Sequence, residues 1–124
     1  MDEKYRLDNK DFAKKLEERT KAFAIAIIRL SSKLPDTTEG KIVRNQLTKA
    51  GTSVGANYRE ANRARSKADF RSKIKISESE ASETQYWLEI IIGMKWIKPE
   101  DMKFELDEAG ELLAIFTSIG KNLN

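Results

Sequence analysis

Arg59, Arg63, Arg65, Lys67, Arg71, Lys73 and Lys75 crowd into residues 59–75, a stretch that holds only two acids, Glu60 and Asp69. Clustered cations of this kind attract a phosphate backbone through charge, without reading base sequence. A second group points to other chemistry. Glu80 and Glu83 share a helical stripe with Ile76, Trp87, Ile90 and Met94, and carboxylates so spaced can hold a metal. Di-iron bundles, however, place a Glu-x-x-His pair on each of two helices, and this chain has no His. Upstream, "NQLTKAGTSVGANYREA", residues 45–61, sets Gly51 and Gly55 beside Thr and Ser. A Walker-type phosphate loop needs Lys-Ser or Lys-Thr after its last glycine, between a strand and a helix. Gly55 is followed by Ala56 and Asn57, and no strand precedes it. The glycines therefore read as a smooth strip on a helix. Each costs about 1 kcal/mol in a helix interior, and close approach of a neighbouring helix is the expected offset. A kink at the same place is the other outcome the sequence allows.

The absence of Cys and His removes disulfides, thiolate zinc sites and every Ser-His or Cys-His relay. We expect no catalytic centre, no metal and no cofactor. The N-terminus has no apolar signal core, and no apolar run approaches a membrane span; the expectation is a cytoplasmic protein with no membrane contact. At 124 residues the chain fits a single domain, 1–124, able to bury a core of its own. Charge is unevenly placed within the formal net +3. Residues 1–58 carry 12 Lys/Arg against 8 Asp/Glu, residues 59–75 carry 7 against 2, and residues 76–124 carry 4 against 10.

The elements that must position these groups are helices. Apolar or small residues recur at alternating steps of four and three, which predicts helices over about 9–34, 37–65, 67–97 and 100–123. The first seam is Leu16, Thr20, Phe23, Ile27, Leu30 and Leu34, with Asp8 as N-cap and Pro35 as the stop. The second is Val43, Leu47, Ala50, Val54, Asn57, Ala61 and Ala64, opened by Asp36 with Glu39 in a capping box. The third is Phe70, Ile74, Ser77, Ala81, Thr84, Leu88 and Ile91, opened by Ser66 with Asp69. The fourth is Met102, Leu106, Ala109, Leu113, Phe116, Ile119 and Leu123, with Pro99 at its start. Similar lengths and very short turns give an all-α, up-down-up-down antiparallel four-helix bundle.

Two further expectations follow from this frame. Asn57 on the second seam needs hydrogen-bond partners, and Ser53, Glu60, Glu80 and Glu83 are placed to form a structural polar network with it between the second and third helices. The last third of the third helix is apolar almost all round, so Trp87, Ile90, Met94 and Ile97 form a second face suited to another subunit.

"SVGANYREA" (53–61), "RSKADF" (65–70) and "SEASETQYWLEIII" (79–92) together resemble the four-helix bundle proteins of 23S ribosomal RNA intervening sequences, often labelled ribosomal proteins. The likeness runs through nearly the whole chain in helix order. It implies a ring-like homo-oligomer, a pentamer, and RNA or other nucleic-acid binding. The family's motif positions fall on Ser53, Asn57, Glu60, Glu80, Glu83 and Trp87, and none brings a catalytic role. The chain departs from the family's frequent S-I-P-A-N-I-A-E-G, with Gly55 in place of Pro and Ala61 in place of the final Gly.

The sequence thus points to a non-enzymatic homo-oligomer that binds RNA or other nucleic acid without sequence preference, through residues 59–75. The alternative is a protein-interaction scaffold whose basic end grips an acidic partner. A purely structural use of the cations also stands, since basic residues near a helix C-terminus suit its dipole and the acidic second half of the chain could pair with them across a subunit contact.

Overall fold

A proline ring strikes the preceding helical turn and offers no N–H, so the first helix ends before Pro35. The computed structural model describes residues 3–123, with side chains over 9–123. It contains four α-helices, α1 (Glu3–Ser31), α2 (Thr38–Ala61), α3 (Lys67–Gly93) and α4 (Lys103–Lys121), and a 3-10 turn, Pro99–Met102, leads into α4. No strand occurs among the described residues, and no helix there is long and apolar enough to cross a membrane. Consecutive helices pack side by side, while α1 and α4 meet more sparsely.

The helix ends differ from those expected, each for a local reason. α1 begins at Glu3, in a stretch free of Gly and Pro, so Asp8 lies within the helix and does not cap it; the Asp8 side chain is outside the described residues. α2 is capped by Thr37, not Asp36. The Thr37 backbone is extended and its hydroxyl accepts from the Gly40 N–H at 3.0 Å, leaving Asp36 to an exposed pair with Lys41. α2 stops at Ala61, short of 65, as tighter bonds from Arg63 N–H to the Glu60 carbonyl and Ala64 N–H to the Ala61 carbonyl turn the chain. Ser66 then caps α3 as expected, accepting from the Asp69 N–H at 3.0 Å.

α3 ends at Gly93, short of 97, in a Schellman motif. Trp96 N–H bonds the Ile91 carbonyl and Lys95 N–H bonds the Ile92 carbonyl, with Lys95 in the left-handed region at φ 60°. Trp96 folds back against the core. The fourth α-helix starts at Lys103, because Pro99–Met102 forms the 3-10 turn, and ends at Lys121, short of 123.

The whole first seam is buried, as are Val43, Leu47, Ala50, Val54 and Ala61 of the second and Ile74 through Ile91 of the third. Two places are corrected. Tyr58, 2% exposed, takes the core position expected for Asn57 and meets Phe116 edge-on at 5.4 Å; Leu112 takes that expected for Leu113. A 3.6-residue period admits either neighbour, and the larger apolar gain decides for Tyr58. Ala64, Phe70, Leu106, Ile119 and Leu123 are half-buried.

α2 runs unbroken through both glycines, and the reason is contact. A Cβ at Gly51 would lie 2.6 Å from Ile27 Cγ2, and one at Gly55 would lie 2.8 Å from Thr20 Oγ1. α1 occupies the space that side chains would need. On the other side of α2, the buried Ser77 hydroxyl of α3 donates to the Val54 carbonyl at 2.9 Å. The sparse α1–α4 seam is closed by charge: Arg19 donates from Nε and Nη2 to the two Glu108 carboxylate oxygens, each at 2.7 Å, and also to Glu111. Glu108 is 7% exposed, and its hydrogen bonds hold the Arg19 guanidinium in its charged form, against the burial that works the other way.

Two outcomes test this packing. Gly51→Ala, which raises the stability of an ordinary helix, here forces Ile27 to move and lowers stability by about 1–3 kcal/mol in urea unfolding followed by circular dichroism. Lys95→Gly relieves the left-handed backbone and raises stability by about 1 kcal/mol in the same measurement.

Candidate nucleic-acid interface

The turn that joins α2 to α3 must be short, and its Ser66 cap fixes where α3 begins; the cations on either side are thereby gathered at one end of the helices. Arg59, Arg63, Arg65, Lys67 and Lys75 are exposed, and Lys73 is half-buried. Among the described residues none of the seven forms an ion pair; the pairs present are Lys15–Asp11, Arg19 with Glu108 and Glu111, Lys41–Asp36 and Lys103–Asp107. Glu17 and Glu18 share a groove with Arg59, and Glu78 and Glu83 share one with Lys75, without pairing with either cation.

Arg71 is different. It is half-buried, its Nη2 donates to the Leu123 carbonyl at 2.6 Å, and its Nε is buried without a partner. It closes the chain just beyond α4, where a cation suits the helix dipole, and it is not free to meet a ligand.

Arg59 and Lys75, on either side of the turn, line different grooves. Arg59 lines a groove between α1 and α2 with Lys14 and Lys21. Lys75 lines one between α3 and α4 with Glu78 and Tyr86. Among the described residues no aromatic platform accompanies the turn: Phe70 packs on the core and Tyr58 is inside it. Burial pushes the Tyr58 phenol above its ordinary range, so it stays neutral.

The expected polar network is not joined by hydrogen bonds across helices among the described residues. Asn57 is half-buried and donates to the Ser53 carbonyl at 2.8 Å, while the Ser53 hydroxyl donates to the Lys49 carbonyl at 2.6 Å. Both amide and hydroxyl are satisfied inside α2, one turn back. Glu60 and Glu83 are exposed, with Glu83 accepting from Trp87 Nε1 at 3.3 Å. Burial, then the Glu83 charge, push the Glu80 carboxyl above its usual range, and Lys49 on α2 draws it back. The polar link between α2 and α3 is instead Ser77, which the sequence marked only as a seam position.

Of the expected interface residues, Trp87, Ile90 and Ile97 are half-buried against the core of the same chain, whereas Met94 is 51% exposed. Tyr86, 54% exposed, stands edge-on to Trp87 at 5.1 Å. Among the described residues no group of three or more His, Cys, Asp or Glu is placed to hold a metal. Sequence reasoning missed Lys10, Lys14 and Lys21, which α1 brings to the groove beside α2. The signal was present in helix order, since a short turn lays the start of α1 beside the end of α2.

The chain is similar to a crystal structure of a protein with unknown function from the S23 ribosomal protein family of Bacteroides thetaiotaomicron, with 35% identity, 85% of this chain and 97% of that chain covered, and a TM-score of 0.78. Comparison with curated proteins finds no match. The sequence pattern of the family described as 23S rRNA-intervening sequence protein matches residues 9–118. That match spans most of the chain, which belongs to the 23S rRNA-intervening sequence protein family.

Proposed function

We propose that the protein is a non-enzymatic, cytoplasmic, single-domain bundle that binds RNA or other nucleic acid without sequence preference, through the basic end at the α2–α3 turn. The observation that carries this reading is the set of exposed cations, Arg59, Arg63, Arg65, Lys67 and Lys75, that have no carboxylate partner among the described residues. Unpaired cations on a folded end cost little to bring to a phosphate, because no salt bridge must first be broken. Released counterions supply the affinity.

The helices run up, down, up and down in this reading. Ile27 near Gly51 with Thr20 near Gly55 supports opposite directions for α1 and α2; Thr117 on Glu78 with Gln85 near Gly110 supports the same for α3 and α4. The chain assembles as a homo-oligomer, a pentamer, in which the exposed Met94 and Tyr86 beside Trp87 meet a neighbouring copy. Repetition around a ring multiplies the basic end and its attraction for a polyanion.

The test uses charge reversal at residues that hold nothing together. Arg63→Glu with Lys67→Glu leaves the thermal unfolding unchanged but weakens binding to structured RNA at low salt by tenfold or more, equally for unrelated sequences, and flattens the salt dependence in fluorescence anisotropy. Binding that survives the double reversal with the same salt dependence contradicts the reading, as does no binding at low salt by the unaltered protein.

A further inference from the structure

The α1–α2 groove is a consequence of the glycine strip. Gly55 and Ala56 put no bulk between the helices, and Thr20 lies in contact beneath them, so the surface sinks into a cleft of about 340 Å³ lined by Lys14, Glu17, Glu18, Lys21 and Arg59. It continues past Lys14 and Glu17 into a second hollow of about 420 Å³, lined by Asn9, Lys10, Ala13 and Asn62. Asn62, which follows α2, lines the second hollow. The walls of this trench carry Lys10, Lys14 and Lys21 on α1 and Arg59 on α2, none of them ion-paired among the described residues. Glu17, the carboxylate on the line between the hollows, accepts from Asn62 Nδ2 at 2.8 Å; Glu18 is the second acid of the lining.

We propose that this trench, and not the turn alone, carries the phosphodiester backbone of an unpaired nucleic-acid strand, with Lys14 and Lys21 of α1 as phosphate-contacting residues. The inference rests on the nucleic-acid reading of the basic end and extends it to residues outside 59–75. Lys14 and Lys21 are two turns apart on one helix face, about 10 Å along the axis, and Arg59 faces them from α2. The hollows, of about 340 and 420 Å³, lie on the surface between two helices in contact, a groove that one extended strand can follow and a duplex can only bridge. Among the described residues the lining has no aromatic side chain. Bases therefore find nothing to stack on inside it, and the contact is with backbone alone.

The experiment is an anisotropy titration of the full chain with labelled single-stranded oligouridine and oligoadenosine across a salt series. For Lys14→Ala with Lys21→Ala, both exposed, the slope of log affinity against log salt falls by about 0.7 per lysine, equally for both oligomers, with thermal unfolding unchanged. An unchanged slope in this variant, while Arg63→Glu with Lys67→Glu lowers it, overturns the trench and leaves the basic end standing. A marked preference for one base overturns the backbone-only contact, and no binding by the unaltered protein at low salt overturns the trench together with the reading beneath it.

Discussion

Ile27 and Thr20 of α1 lie where side chains at positions 51 and 55 of α2 would have to be. That exclusion sets the spacing of the first two helices, and much else depends on it. With α1 pressed against its glycines, α2 turns Val54 and Tyr58 towards the core, where the Val54 carbonyl receives the Ser77 hydroxyl and Tyr58 meets Phe116 of α4. The contact thus links three neighbours of α2 at one level. Replacing glycine with a better helix former would strengthen the isolated helix and damage the assembly, a case of packing overriding propensity.

Charge is arranged around this packing in two distinct ways. Arg19 with Glu108, and Arg71 with the Leu123 carbonyl, are structural: the first ties α4 to α1 along their sparse seam, and the second ties α3 to the chain just beyond α4. Removing one partner of such a pair leaves a poorly solvated charge, so these residues belong to the fold. The exposed cations of the α2–α3 turn and Lys10, Lys14 and Lys21 of α1 form no ion pair among the described residues, and they are the ones available to a ligand. One basic stretch in the sequence therefore divides, in three dimensions, into an arginine that holds the fold and cations that face outward.

Helix order, seam positions and the packing role of Gly51 and Gly55 were legible because burial imposes a period on the residues that serve it. Choices between adjacent residues were not. Asn57 and Tyr58 both suit the period, and only the space beside Phe116 distinguishes them; Asp36 and Thr37 are both good caps, and only the extended backbone after Pro35 selects Thr37. Glu108 reads as a surface acid until Arg19 arrives from 89 positions away in sequence. Among the candidate site residues, the basic turn was visible as composition, but the loss of Arg71 to Leu123 and the arrival of Lys14 and Lys21 are contacts between distant segments. Asn57 and Ser53 bond carbonyls of α2 itself, because an amide or hydroxyl on a helix can satisfy itself one turn back.

In the proposed function this end of the bundle, and not another face, meets a nucleic-acid backbone. Backbone amide shifts of the isotope-labelled protein, followed by NMR as a short single-stranded RNA is added at low salt, test it most directly. The account predicts shifts concentrated at residues 59–67 and along the α1 residues that face α2, with little change near Met94 or the Pro99–Met102 turn. Shifts centred on those latter residues, or none at all, would contradict it.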